Sequence, residues 1–343
     1  MKTLDLARKI YTHYRTAVNP QVNHYFGIIA NYGLVRLAEL GGADDIALAQ
    51  EILSTFPDKV AHPHYNFPSY AVCGIAKARA VRDGISPDEE QIRIYADELM
   101  TAPRGENGII SMPSRPDRIW IDVATAVTPF LLFAGLHFGE TRYIDEAVHQ
   151  TLAMYRIFLD PSCGLLHQSK NFCGEGKISE DHWSRGNGWG LLPLAELCAN
   201  LPADHPRRQE CIDAFRAHML ALLPYQSKNG MWRQEITVDS PKSYEETSGT
   251  GLILYAMGMG LELNLLGERF RTVFEAGIRG LCSISVREDG AIDNSCPGCL
   301  CPGDGSIDAY LHHKLPFRDE PHGAGSVILA LVQAHRLGMK DIV

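Results

Sequence analysis

Long apolar runs are absent from this chain of 343 residues, and their absence limits where the protein can act. No stretch approaches the roughly 20 consecutive apolar residues that a membrane-spanning helix needs. The first residues, MKTLDLARKIYTHYRTAV, lack the apolar core of a secretory signal and instead have the pattern of an amphipathic helix. We therefore expect a cytoplasmic protein that does not span a membrane.

Basic charge is also scarce, because the 32 lysine and arginine residues are outnumbered by 41 acidic residues. The resulting net charge of −9 argues against nucleic acid as a partner, since proteins that bind it usually present a basic surface. A local pocket for a small anionic substrate remains compatible with this charge. We expect a chain that is a monomer or a homodimer.

Common nucleotide and nucleophile motifs are missing as well. No phosphate-binding G-x-G-x-x-G or P-loop lies between a strand and a helix, and no G-x-S-x-G turn is present. These absences argue against a dinucleotide-binding enzyme, a P-loop enzyme and a serine hydrolase of the α/β type.

The nine cysteines are an odd number, which fits reduced thiols better than a disulfide framework. Three of them, Cys296, Cys299 and Cys301 in SCPGCLC, have the close spacing of half a zinc site. Zinc needs four ligands, however, and the sequence has no second C-x-x-C pair. We expect a turn with buried thiols, no metal and no other cofactor.

Helical periodicity dominates what the sequence does contain, and twelve helical segments of two kinds alternate. One kind carries charge on one face, which indicates an outer helix with one wet side. The other kind is apolar all round and rich in small residues, so it has to be buried. The outer segments are 3–17, 43–55, 88–101, 141–158, 205–223 and 267–282. The inner segments begin near Asn23, Asn66, Trp120, Arg185, Glu246 and His322.

Six outer and six inner helices in alternation predict an all-α (α/α)6 barrel, a closed ring of helical hairpins forming one domain over residues 1–343. An open helical solenoid is the main structural alternative. In a closed ring all inner helices begin at one rim, and long connections, which are usually functional, precede several of them. Polar residues at the inner-helix starts should therefore converge on one cleft.

Asp122, in PDRIWIDVATAVTPF, is the first candidate for chemistry at that rim. Its apolar neighbours Ile121 and Val123 would desolvate the carboxyl group, which raises its pKa and keeps it protonated near neutrality. A general acid needs that state. The structural alternative is an aspartate that caps its own helix or pairs with an arginine, although Asp117 is better placed as the cap.

The segment WSRGNGWG, residues 183–190, is the second candidate. A glycine-rich helix start offers backbone N–H groups to an anion, and the planar donors of Arg185 suit a carboxylate. Trp183 and Trp189 provide flat apolar faces on which a sugar ring can stack. A tight helix–helix turn with buried tryptophans explains the same residues, and both interpretations stay open.

Helix caps and close helix packing explain two further glycine-containing starts, YEETSGTG and DEPHGAG. His167, in GLLHQS, lies in a long rim connection, where a lone histidine is more often incidental than catalytic.

Taken in order, RIWIDVATAVTPFL, GLLHQS, HWSRGNGWGLLPLAEL and DEPHGAGSVILAL resemble glycoside hydrolase family 105, which is related to family 88. These enzymes are the unsaturated rhamnogalacturonyl and glucuronyl hydrolases. The resemblance runs from about residue 20 to residue 338, and R-G-N-G-W with its preceding tryptophan is the most specific part. It implies an (α/α)6 barrel that acts on an oligosaccharide ending in a 4,5-unsaturated uronic acid.

The chemistry that the resemblance implies is hydration of a double bond. An aspartic acid protonates C4 of the C4=C5 enol ether, water adds at C5, and the hemiketal rearranges and expels the neighbouring sugar. The carboxylate pair of other glycosidases is then not required. By position, Asp122 matches the catalytic acid/base, Trp183, Arg185 and Trp189 match substrate contacts, His167 matches a histidine lining the site, and Tyr25 matches an aromatic contact to the unsaturated ring.

The chain departs from the family near the second inner helix, where many members carry another aspartate. Here the stretch reads HPHYNFPSYAV, with His64, Tyr65 and Asn66 and no acid. This leaves room for a saturated uronidase or a sugar epimerase on the same barrel. From other classes, the alternatives are a zinc protein like the lanthionine cyclases, using Cys296, Cys299 and His322, and a non-catalytic helical scaffold.

Overall fold

The computed structural model describes residues 1–19, 26–56, 67–111, 115–298 and 301–342, and helices dominate these ranges. The helices are α1 Thr3–His13, α2 Gly27–Ala38, α3 Ala43–Ser54, α4 Gly74–Arg82, α5 Glu89–Met100, α6 Asp122–Phe138, α7 Thr141–Phe158, α8 Ser184–Asn200, α9 Arg208–Leu222, α10 Thr247–Glu262, α11 Glu268–Ser285, α12 Ile307–Leu311 and α13 Gly323–Arg336. Two short strands, β1 Ile119–Trp120 and β2 Ser169–Lys170, pair antiparallel. No helix within the described ranges is long and apolar enough to cross a membrane.

Six helices form a closed inner ring. Each of α2, α4, α6, α8, α10 and α13 packs against the next, and α13 packs against α2. The contact between α13 and α2 closes the ring, so the open solenoid is excluded and the predicted (α/α)6 barrel is confirmed. Every residue of α2 is buried, as expected of a helix without a polar face.

The outer helices are amphipathic and pack on their inner neighbours. Helix α7 spans the predicted residues, Thr141–Phe158, and buries Ile144, Val148 and Leu152 on one face. Helix α1 ends earlier than predicted, at His13, and continues as a π-helical turn over Tyr14–Val18. The outer layer thus follows the charge pattern of the sequence.

Two parts of the structure differ from the expectation. The second inner segment is broken into a 3-10 turn, Pro68–Val72, and α4, because Cys73 between them has a left-handed backbone with φ 66°. The predicted starts at Asn23 and Asn66 lie outside the described residues. Helix α12 was not predicted, since its five residues are too few for a periodic pattern.

Gly249 permits the closest approach between α10 and the start of α8. A Cβ atom added there would lie 2.5 Å from the carbonyl carbon of Ser184 and 2.6 Å from the backbone nitrogen of Arg185. We expect Gly249→Ala to lower the free energy of unfolding by about 2 kcal/mol, because backbone has to move. Urea unfolding measures this. Gly42→Ser, which adds a side chain into open space, serves as a control and should change stability by less than about 0.5 kcal/mol.

Candidate active site

A cleft opens where the inner helices begin. Its walls come from the N-terminal ends of α2, α6, α8 and α13 and from the 3-10 turn before α4. The predicted convergence of inner-helix starts on one cleft is therefore confirmed. The lining residues are Phe26, Ile28, Ile29, Tyr70, Asp122, Thr125, Trp183, Arg185, Trp189, Gly298 and His322.

Asp122 is the first residue of α6, and its side chain reaches the cleft. Its Oδ2 atom is buried and has no hydrogen-bond partner among the described residues. Burial raises the pKa of this carboxyl group to about 6, although the positive charge of Arg185 acts in the opposite direction. With this pKa roughly half of Asp122 is protonated at pH 6 and about one tenth at pH 7, and the protonated form is the one that a general acid requires.

Asp117 does not cap this helix, contrary to the prediction. Ile121 precedes α6, and no side chain caps it. The reason is the pairing of β1 with β2, which keeps residues 119–120 extended and delays the helix until Asp122. Helix α6 therefore begins at Asp122 without a side chain that caps its N-terminus.

Arg185 is held rigidly at the floor of the cleft, with 1% of its surface exposed. Its Nη1 donates to the carbonyl oxygen of Cys296 at 2.6 Å and to Oγ of Ser248 at 3.1 Å. The guanidinium lies over the ring of Trp183, 4.6 Å from its centroid, and 3.8 Å from Oε2 of Glu320. The site thus presents a pre-oriented cation that can bind an anionic group.

Trp183 and Trp189 supply aromatic walls beside this cation. The indole N–H groups of both are buried and have no hydrogen-bond partner among the described residues. The carbonyl oxygen of Trp189 accepts a hydrogen bond from Oγ1 of Thr125, which also lines the cleft. Unpaired donors beside apolar faces are what a polar ring-shaped ligand would satisfy.

The glycines of WSRGNGWG serve packing. A Cβ added to Gly188 would lie 2.7 Å from Leu252 on α10, and one added to Gly190 would lie 2.4 Å from Leu166. Asn187 fastens the preceding connection through hydrogen bonds to the backbone N–H and C=O of Leu166. The glycines of the segment allow close helix contact, while its arginine and tryptophans line the cleft.

Two buried carboxylates behind Arg185 were not singled out from the sequence. Glu246 caps α10 and accepts hydrogen bonds from five groups. Glu320 accepts one from the backbone N–H of His322 and lies 2.6 Å from Nδ1 of its ring. Although burial opposes ionisation, His322 and Arg185 lower the pKa of Glu320. The donors to Glu246 are Ser248 N, Ser248 Oγ, Gly249 N, Ser184 Oγ and Cys296 N.

Among the described residues, the histidine that lines the cleft is His322, and His167 does not line it. The Nδ1 atom of His167 lies 3.3 Å from the carbonyl oxygen of Asp181, and its ring centroid lies 4.8 Å from that of His182. Burial and the neighbouring His182 lower the pKa of His167. The position of His322 at an inner-helix start was the signal that could have identified it.

Some predicted positions lie outside the described residues. These are Tyr25, the stretch His64, Tyr65 and Asn66, and Cys299. Of the other rim cysteines, Cys296 is buried, and its thiol donates to the carbonyl oxygen of Pro297. Its backbone bonds to Glu246 and Arg185 give this residue a role in anchoring the rim connection.

Sequence comparisons identify relatives of this chain. Residues 12–338 match the model of Glycosyl Hydrolase Family 88. The unsaturated 3S-rhamnoglycuronyl hydrolase of Formosa agariphila is 30% identical over 157 residues, which are 43% of this chain and 41% of that protein. The enzyme of the same name from Alteromonas sp. (strain LOR) is 28% identical over 207 residues, or 58% of this chain and 43% of that protein. The matched part of the chain spans less than half the length of these curated relatives.

Solved structures share the fold. A family 105 glycoside hydrolase from C. acetobutylicum superposes with a TM-score of 0.85 at 20% identity, covering 98% of this chain and 100% of that chain. The unsaturated glucuronyl hydrolase of Bacillus sp. GL1 superposes with a TM-score of 0.71 at 17% identity, covering 96% and 95%. At such identities the likeness establishes the barrel alone. Because the family model matches nearly the whole chain, the protein belongs to Glycosyl Hydrolase Family 88, and the predicted resemblance is confirmed.

Proposed function

We propose that the protein removes a terminal 4,5-unsaturated uronic acid from oligosaccharides released by polysaccharide lyases. The observation that carries this proposal is a carboxyl group with a pKa of about 6, Asp122, in one cleft with the buried cation of Arg185. The names of the Formosa and Alteromonas relatives support the substrate class.

The proposed reaction begins with proton transfer from the Asp122 carboxyl group to C4 of the enol ether. Positive charge then develops at C5 and the ring oxygen, and water adds at C5 and gives a proton to the Asp122 carboxylate. The resulting hemiketal opens and releases the next sugar. Arg185 would hold the uronate carboxylate, and the tryptophan faces would fix the ring so that C4 lies against Asp122.

A single acid supports hydration over ordinary glycoside hydrolysis. Among the described residues lining the cleft, Asp122 is the only carboxylate, while Glu246 and Glu320 are buried in contacts behind Arg185. Retaining and inverting glycosidases use two carboxyl groups flanking the scissile bond. The arrangement therefore favours the unsaturated substrate.

The test of this function is incubation of the purified protein with unsaturated disaccharides made by several lyases. Hydration destroys the conjugated double bond, so its short-wavelength ultraviolet absorbance should fall for at least one of them. The matching saturated uronides should not be cleaved. Cleavage of the saturated uronides with no loss of the chromophore would instead favour the uronidase alternative.

The pH dependence of the reaction follows from the pKa of Asp122. The protonated form donates the proton, so kcat/KM should be constant below the pKa and fall about tenfold per pH unit above it. With a pKa of about 6, the midpoint of the decline should lie near pH 6. Initial rates from pH 4.5 to 8.5 measure the profile, and a rate that rises through pH 8 would count against this assignment.

We further propose a cytoplasmic monomer or homodimer that does not bind nucleic acid. The eight cysteines within the described residues are all free thiols, which supports a reducing compartment. Fractionation of native cells tests the location, and light scattering after gel filtration tests the oligomeric state. Recovery outside the cytoplasm would contradict the first part, and a higher oligomer the second.

A further inference from the structure

Three side chains with metal-binding atoms converge in the connection that leads into α8, and a fourth, His167, lies beside them. Asp160, Cys163 and His182 place one such atom each within 4.8 Å of one another. Nε2 of His182 lies 3.0 Å from Oδ2 of Asp160 and 3.4 Å from Sγ of Cys163. Nε2 of His167 lies 3.9 Å from the same Asp160 oxygen. None of these four residues lines the cleft described above.

The local chain path explains this convergence. Leu159 pairs with Leu166 in an isolated antiparallel bridge, and the tight turn between them carries Asp160 and Cys163. The backbone N–H of Ser162 donates to Oδ1 of Asp160 at 2.8 Å, which leaves Oδ2 as the atom near both histidines. His182 is held on a separate segment.

The separations match those in a tetrahedral zinc site. Zinc bound at about 2.0–2.1 Å by nitrogen or oxygen and at about 2.3 Å by sulfur places its ligand atoms about 3.3–3.7 Å apart. The three distances given above, from 3.0 to 3.9 Å, bracket this range. A thiolate with two imidazoles suits zinc and disfavours calcium and magnesium, which prefer oxygen ligands.

One histidine has a hydrogen-bond partner that orients its ring, and the other lies beside a buried carboxylate without a hydrogen bond to it. Nδ1 of His167 faces the carbonyl oxygen of Asp181 at 3.3 Å, and Nδ1 of His182 lies 3.4 Å from Oε1 of Glu235. Glu235 is fully buried and accepts the backbone N–H of His182 at 2.9 Å. Metal-bound histidines characteristically turn their other nitrogen to such an acceptor, which leaves Nε2 for the metal.

We propose that Asp160, Cys163 and His182 bind zinc, and that the ring of His167 turns toward the ion as the fourth ligand of a structural site. Four protein ligands leave no open position, so the ion would stabilise structure and take no part in chemistry. The charges of one carboxylate and one thiolate balance Zn²⁺. The site joins the turn after α7 to the residue that precedes Trp183, so it fixes the segment entering the cleft. This departs from the expectation of no metal, and the ligands differ from the cysteine cluster considered in the sequence.

Metal content of the full-length protein tests the proposal directly. After purification under reducing conditions, incubation with excess Zn²⁺ and dialysis, plasma mass spectrometry should find about one zinc per chain. Cys163→Ser and His167→Gln should each weaken zinc binding at least about 100-fold in competition with a chromophoric chelator. Cys282→Ser, which changes another partly buried thiol on α11, should bind zinc as wild type does.

Cobalt substitution provides a readout that does not depend on stability. Co²⁺ in the wild-type protein should give the intense near-ultraviolet band of a thiolate–cobalt bond, and Cys163→Ser should lose it. If Cys163→Ser does not fold, the zinc affinity of His167→Gln and the cobalt spectrum of the wild-type protein still test the proposal. Wild-type protein without stoichiometric zinc, or zinc binding unchanged in Cys163→Ser, would overturn the proposal and leave a hydrogen-bonded cluster in which Asp160 pairs with His182.

Discussion

Asp122→Asn is expected to lower kcat by about 10³-fold while KM changes little. The amide keeps the shape of the carboxyl group but has no acidic proton to give to C4. Binding should survive, because Arg185 and the tryptophan walls are untouched. Steady-state kinetics on an accepted unsaturated disaccharide measure both constants. Wild-type turnover in Asp122→Asn would show that another residue supplies the proton.

Asp117→Asn is the matched control for this substitution. Asp117 is exposed and lies just before β1, so it shares the segment without entering the cleft. We expect its kcat and KM to equal those of wild type. A comparable loss in both variants would point to a disturbed fold in this segment.

The pH dependence of protein stability provides a second test of the raised pKa of Asp122. Its pKa is raised from 3.8 to about 6, so the folded protein binds a proton that the unfolded chain releases between these values. Wild-type stability should therefore fall as pH rises from about 4 to 7, by up to about 3 kcal/mol. Asp122→Asn removes this dependence, so its advantage in urea unfolding should grow over the same interval.

Glu246→Ala is expected to cost about 4 kcal/mol of unfolding free energy. The carboxylate is fully buried and accepts hydrogen bonds from the starts of α8 and α10 and from the rim at Cys296. Alanine leaves these donors buried without an acceptor. Urea unfolding measures the loss. Glu246→Gln keeps one acceptor oxygen, so its free energy of unfolding should lie between those of wild type and Glu246→Ala.

Glu245→Ala is the control for removing a glutamate at a neighbouring position. Glu245 is half-buried and accepts hydrogen bonds from Ser227 and Asn229. Its cost should be about 1 kcal/mol or less. A value within about 1 kcal/mol of wild type for Glu246→Ala would contradict the role of Glu246 as the tie between these elements.

The architecture and the acid at its centre could be predicted from local patterns. Amphipathic and wholly apolar helices alternate, and this order alone places the inner-helix starts at one rim. Asp122 stands out because its apolar neighbours imply desolvation, and burial does raise its pKa. These features depend on residues close in sequence, so they can be predicted without knowledge of the fold.

The supporting contacts depend on residues far apart in sequence. Arg185 donates to the carbonyl oxygen of Cys296, which is 111 residues away, so no local sequence pattern predicts that hydrogen bond. His167 was placed at the site by its position in a motif, yet the turn after α7 brings it to Asp160 and His182. The break at Cys73 depends on a left-handed backbone that cysteine rarely adopts, so composition gives no sign of it.

The most direct test of the central claim is the reaction in D₂O, followed by proton NMR, of an unsaturated disaccharide beside its saturated counterpart. The account predicts that wild-type protein consumes only the unsaturated sugar and places one deuterium at C4 of the product, and that Asp122→Asn does neither at a comparable rate. Cleavage of the saturated sugar at an equal rate, or a product without deuterium at C4, would contradict it.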